Sequence, residues 1–201
     1  AFLGWSPKSA DREILSLEEI SEIFDLSEIN KAGAKFSWEK LNWINSQYIK
    51  NMESIKLIEI MRKYWDDNGW EPPSQEWANK LAILIRDSMT LLKDSIDQSK
   101  PFFLIPTIQK EGQDFLENKD SKASLKLILN YLIEQNTIKL NKEKAKEIIN
   151  EISKMHNIKK GILMKSLRVA FFGSLSGPDL IQSWELFAES KTDRTRIERC
   201  L

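Results

Sequence analysis

Apolar residues recur three and four positions apart along most of this chain, and almost nowhere do they alternate with polar ones. That spacing places them on one face of a helix. Ser16-Leu17-Glu18-Glu19 reads as a capping box, followed by Leu17, Ile20, Ile23 and Phe24 at helical spacing. Asn30-Lys31-Ala32-Gly33 breaks the pattern. Ser37 restarts it, and Trp38, Leu41, Ile44, Tyr48 and Ile49 line one face. A further helix is predicted from about Glu53 to Asp67, with Ile55, Ile58, Met61 and Trp65 as its stripe, ended by Asn68-Gly69.

Pro72-Pro73-Ser74 is a stop followed by a new N-cap, and Trp77, Leu81, Leu84, Ile85 and Leu92 form a long stripe after it. Helices are also predicted over 122–136, 142–156, 161–171, 178–189 and 192–201, with Pro178 and Asp179 in a first turn where Pro has no N–H to lose. The one stretch with any alternation is Pro101 to Ile105. Linkers are expected at 68–73 and 105–121, and no self-similar period points to a helical repeat array. The class is all-α.

The 201 residues allow one or two domains, and 41% hydrophobic against 30% charged residues is enough to bury a core. One Cys and one His exclude an internal disulfide and the Cys/His zinc sets. No apolar run reaches the roughly 18 residues of a membrane span, and no signal peptide is read at Ala1 to Leu3, so the expectation is a reducing cytosol and no membrane partner. The chain starts without Met, which is how a piece of a longer protein would look.

Net charge is zero but uneven: residues 1–120 carry 15 basic and 21 acidic side chains, and residues 121–201 carry 15 and 9. A basic C-terminal part could meet a polyanion, although a solvated surface would look the same. No phosphate-binding GxxxxGK[ST] loop, GxSxG elbow or HExxH pair occurs. His156 reads as a helix-end histidine and Cys200 as an inert thiol. Of the seven Trp, Trp38, Trp65, Trp77 and Trp184 fall on apolar faces and are expected in the core rather than stacked on bases.

Several segments together resemble one family. They are Leu3-Gly4-Trp5-Ser6-Pro7, Phe24-Asp25-Leu26, Ala32-Gly33-Ala34-Lys35-Phe36, Glu39-Lys40-Leu41-Asn42-Trp43-Ile44-Asn45, and above all Leu167-Arg168-Val169-Ala170-Phe171-Phe172-Gly173-Ser174-Leu175-Ser176-Gly177-Pro178-Asp179-Leu180. Their order is similar to that in the C-terminal part of bacterial-type glutamyl-tRNA synthetases, which are class I enzymes. The resemblance spans the chain, is specific at 3–49 and 167–187, and is weak between. The HIGH-like motif and the KMSKS-like loop of that family's catalytic fold do not occur here.

The resemblance implies a helical bundle or cage of two small anticodon-binding subdomains, about 53–110 and 111–201, after the tail of a stem-contact region at 1–52. It implies no catalytic residue and no cofactor in this stretch, with ATP and Mg²⁺ used by the full-length ligase. The implied partner is a glutamate-accepting tRNA, and the expected state is a monomer. Arg168 and Leu180 fall where family members contact the first anticodon letter, and Gly177 and Pro178 where they contact the second. Gly177 replaces a hydroxyl-bearing residue of one family variant, so its contact would be through backbone. Lys159, Lys160 and Lys165 are candidates for phosphate contacts. An Arg that reads the third letter in tRNA-discriminating members is matched by Ser88, which implies tolerance of glutamine-type tRNA; the rival is that Arg86, two residues earlier, swings in and restores discrimination. From the residues themselves, a helical protein-interaction domain without RNA binding stays open; a free-standing enzyme lacks a constellation to support it.

Overall fold

The computed structural model describes residues 4–5, 14–29, 35–135 and 139–201. Parts of the matched segments, namely Leu3, Ser6, Pro7 and Ala32 to Ala34, lie outside the described residues, as does the whole of the break at Asn30 to Gly33. The helices are α1 (Leu17–Ile23), α2 (Trp38–Asn51), α3 (Ser54–Asp67), α4 (Gln75–Arg86), α5 (Asp94–Phe103), α6 (Lys110–Leu116), α7 (Lys119–Glu134), α8 (Lys142–His156), α9 (Lys160–Phe172), α10 (Leu180–Glu189) and α11 (Asp193–Glu198), with a single 3₁₀ turn at Leu26–Glu28. Among the described residues there is no strand, only an isolated bridge between Trp5 and Ile29. No helix among them is long and apolar enough to cross a membrane.

The caps follow the sequence signals. Ser16 accepts from the Glu19 N–H at 3.1 Å while the Glu19 carboxylate accepts from the Ser16 N–H at 2.7 Å, a complete capping box. Ser37, Ser74, Asn141 and Asp179 each accept a hydrogen bond from the first turn of their helix. Asp179 is therefore an N-cap, and Pro178 stands one residue before it rather than in the first helical turn as expected.

Four other expectations are corrected. Pro101 to Phe103 close α5, so the alternation there is a helix end in which Pro sits in the last turn. The linker expected at 105–121 contains α6, whose Gly112 packs near the Gly173 backbone and the Val169 side chain. The stripe running to Leu92 ends early, because α4 stops at Arg86. Trp38 is 68% exposed, and of the predicted α2 face only Ile49 is buried.

Trp65, Trp77 and Trp184 are 0–1% exposed, as their positions on apolar faces suggested. At 150–250 Å² each, burial of such a ring supplies on the order of 4–6 kcal/mol of transfer energy, well above what ring-to-ring geometry adds. Phe102 and Phe103, adjacent at the end of α5, divide the aromatic core. Phe103 meets Trp65, Trp70 and Trp77, whereas Phe102 stacks on Phe187 at 5.0 Å and touches Phe172. One continuous apolar core thus joins α3–α5 to α7–α11.

Candidate nucleic-acid interface

The segment 167–180 forms a helix–turn–helix corner between α9 and α10. Gly173 closes α9 in the left-handed region, φ 71°. A side chain there would collide with the Thr107 carbonyl, and the Gly173 carbonyl accepts from the Gln109 N–H at 2.8 Å. Gly177, φ 155°, lies against the Phe172 ring, where a Cβ would come within 2.8 Å of the ring carbons. Both glycines are thus required by close approach as well as by backbone conformation.

Arg168, half-buried on α9, reaches across the corner. Its Nη1 donates to the carbonyls of Gly177 and Pro178, both at 2.9 Å. The fork explains why the turn holds one shape although Ser176, Gly177 and Asp179 are exposed. Leu180 begins α10 with its side chain in the core, 1% exposed. A ligand at that position can be met only through backbone, not through the leucine side chain. Three of the four anticodon-letter candidates therefore converge on one surface, and the fourth supports it from below.

The three lysines lie on the same helix as Arg168. Lys165 is one turn before it, three residues away and so on the same face. Lys159 and Lys160 stand at the start of α9, about 12 Å along the helix axis from Arg168. All three are exposed. Two cations at the positive end of a helix dipole, with no acidic residue in that first turn, oppose the usual charge preference. The preceding turn adds Lys154 and exposed His156 at the end of α8, with Asn157 in the left-handed region, φ 53°. This arrangement costs the free protein stability and suits an anionic partner.

The third-letter candidates fall at the end of α4 and in the turn after it, where a stripe running to Leu92 implied one continuous helix. Ser88 is not on a helix but in the turn after α4, exposed, with its hydroxyl donating to the Ile85 carbonyl at 2.6 Å. Arg86 closes α4; its Nε is 3.9 Å from an Asp87 carboxylate oxygen, and its side chain is 25% exposed. The same turn is tied to α2 by Asn45, whose amide donates to the Thr90 carbonyl at 2.5 Å.

Sequence reading missed Arg196 and Arg199. They stand at helical spacing among Ile197 and Cys200, so their charge hid a buried stripe. Cys200 is buried, and burial pushes its thiol up, away from the reactive thiolate. Among the described residues no group of three or more His, Cys, Asp or Glu could hold a metal ion.

The family model described as anticodon binding domain matches residues 56–201. A glutamate–tRNA ligase of Prochlorococcus marinus (strain AS9601) is 95% identical over 201 residues, covering all of this chain and 42% of that protein. The glutamate–tRNA ligase of strain NATL2A is 45% identical over 199 residues. The crystal structure of a glutamate tRNA ligase from Elizabethkingia meningosepticum CCUG26117, in complex with its amino acid, superposes with a TM-score of 0.89 at 28% identity, over 98% of this chain and 38% of that one. The chain spans about two fifths of the length of the curated relatives it matches. With the family match running from α3 to the end of the chain and enclosing the whole α9–α10 corner, the chain belongs to the anticodon binding domain family.

Proposed function

We propose that this chain is the tRNA-reading part of a glutamate–tRNA ligase, with the α9–α10 corner as its anticodon contact. What carries the reading is the Arg168 fork: it joins the Arg168, Gly177 and Pro178 positions at one exposed surface, beside exposed lysines at an undefended helix start. Sequence-specific RNA reading favours unstacked loop bases, and an anticodon is such a loop. Arg168 keeps its Nε and Nη2 edge for a base or phosphate, Gly177 and Pro178 offer backbone, and Lys159, Lys160 and Lys165 neutralise phosphates.

In this reading residues 1–52 are the tail of a stem-contact region, and 53–110 and 111–201 are two helical subdomains that share a core. The whole ligase activates glutamate with ATP and Mg²⁺ in the cytoplasm and transfers it to the tRNA end. This chain supplies binding and discrimination, and the nucleotide and metal belong to other parts of the ligase.

The test is binding of a glutamate-type anticodon stem-loop at two salt concentrations, for wild type and Arg168→Ala. Affinity should fall with salt through counterion release, and the variant should lose about 1–3 kcal/mol. An unchanged dissociation constant in a folded Arg168→Ala protein removes the corner from the interface. No measurable binding of the stem-loop by the folded wild type at either salt concentration favours a protein partner instead.

A further inference from the structure

Arg168 is not alone in directing a guanidinium at backbone carbonyls near this corner. Arg196, 0% exposed, donates from Nη1 to the Phe171 carbonyl at 3.0 Å and from Nη2 to the Leu104 carbonyl at 3.3 Å. Its Nε reaches the Thr192 hydroxyl at 3.2 Å, and its plane lies 4.2 Å from the centre of the Phe187 ring. Arg199 donates to the Pro106 carbonyl and, at 3.1 Å, to that of Ala170. Among the described residues no carboxylate is a partner of either.

The carbonyls of Ala170 and Phe171 belong to the last turn of α9, where no further helical N–H is available to them. Those of Leu104 and Pro106 belong to the connection between α5 and α6. The two arginines of α11 therefore stitch that connection to the end of α9. One and three residues beyond Pro106, the Thr107 carbonyl and the Gln109 N–H close on Gly173, where the corner begins. Arg168 holds the far side of the same corner.

We propose that Arg196, with Arg199 beside it, is a positioning residue for the RNA-reading corner: α11 is a latch that fixes the end of α9 and so the placement of Gly173 to Pro178. The inference rests on the functional reading given above. Simple core filling does not explain these residues. Burial and the neighbouring Arg199 pull the Arg196 guanidinium down to about 10, a desolvation cost that an apolar side chain of similar volume would not carry. What the guanidinium supplies, and a methionine or a lysine does not, is a planar fork spanning two carbonyls of different segments.

The experiment uses the 201-residue chain and its Arg196→Lys, Arg196→Met and Arg199→Lys variants. Dissociation constants are measured at 10 °C, far below each melting midpoint, for a glutamate-type anticodon stem-loop and one with an altered second letter. Amide ¹⁵N–¹H shifts of Gly173 and Gly177 are recorded alongside. In Arg196→Lys both amides should move, and affinity for the cognate loop should fall about tenfold while that for the altered loop hardly changes. Arg196→Met should lose the same discrimination whatever its melting midpoint. Unmoved Gly177 amides with full discrimination in folded variants would overturn the latch, leaving the arginines a stabilising role only. If Arg196→Met fails to fold, Arg199→Lys and Arg196→Lys decide. A wild type that binds neither loop removes the functional reading, and the Gly177 amide in Arg196→Lys still decides whether α11 positions the corner.

Discussion

The indole N–H of Trp77 on α4 donates to the carbonyl of Leu186 on α10 at 2.9 Å, between residues 109 apart in the chain. One turn along α4, Lys80 meets Glu185 at 3.2 Å and Glu189 at 2.6 Å on α10, and Glu76 at 3.3 Å on its own helix. These contacts seam α4 to α10, and with them the helices before α6 to those after it. The seam is polar at its edge and aromatic within, where Phe102 and Phe103 serve both sides. The angle between the segments is therefore set by specific pairs as well as by apolar area.

Lys80→Met tests that edge. Glu189 foremost holds the Lys80 ammonium well above the usual lysine range, and without it three carboxylates face one another. The pairs to Glu185 and Glu189 are partly buried, so the loss should be about 1–2 kcal/mol, between surface and buried values. That corresponds to a melting midpoint roughly 2–8 °C lower for a chain of this size. Adding Glu189→Gln to Lys80→Met should recover part of the loss, as should raised salt. A single variant that melts with wild type would show that Trp77 and the aromatic core alone define the seam.

Helices, caps and most of the core were legible in the sequence because each depends on spacing within one segment. Ser16, Ser74 and the stripe of Trp65 and Trp77 are such local features. Trp38 misled because a helical apolar face says nothing about whether a partner covers it. Ile55, predicted in the α3 stripe, is 74% exposed, while Leu57 takes its place in the core. The anticodon candidates were legible only through resemblance. No spacing rule predicts that Arg168 would grip the carbonyls nine and ten residues on, since that geometry depends on Gly173 turning the chain. Leu180 illustrates the limit: the same position that starts α10 at the corner sends its side chain into the core. Arg196 was hidden for the converse reason, because a charged side chain is read as surface until its carbonyl partners are brought near by the fold.

Asp193 gives the fold a pH dependence of definite sign. It is 7% exposed at the start of α11, and burial raises its carboxyl above the ordinary range, although the Arg194 N–H and charge act against it. A raised folded value means the folded chain binds this proton more tightly than the unfolded chain does. The stability it contributes is complete below the unfolded value of about 4 and is lost as pH rises through the folded one. Asp193→Asn should therefore melt higher than wild type at pH 7, and the gap should close as pH falls toward 4. Calorimetry at pH 4, 5.5 and 7 checks this; a gap that stays constant or widens on acidification would contradict the sign.

Ser88 bears on which tRNA the chain accepts. By family resemblance, glutamate and glutamine tRNAs differ in the third anticodon letter, C against G, and an arginine reads that C in discriminating members. Ser88, at the matching position, is exposed in the turn after α4 and has its hydroxyl engaged with the Ile85 carbonyl. It neither donates a guanidinium fork nor fills the space a purine would need. Arg86 is the rival, since its loose 3.9 Å approach to Asp87 leaves it able to swing toward a base. Stem-loops ending in C and in G should bind wild type within about threefold of each other, less than 1 kcal/mol apart. Ser88→Arg should create a preference for C of about tenfold by supplying a fork aimed from the turn. Arg86→Gln separates the rival: if wild type strongly prefers C and this variant loses the preference, Arg86 does the reading and the chain discriminates. If both wild type and Arg86→Gln accept either letter while Ser88→Arg does not, Ser88 is what admits the glutamine-type tRNA.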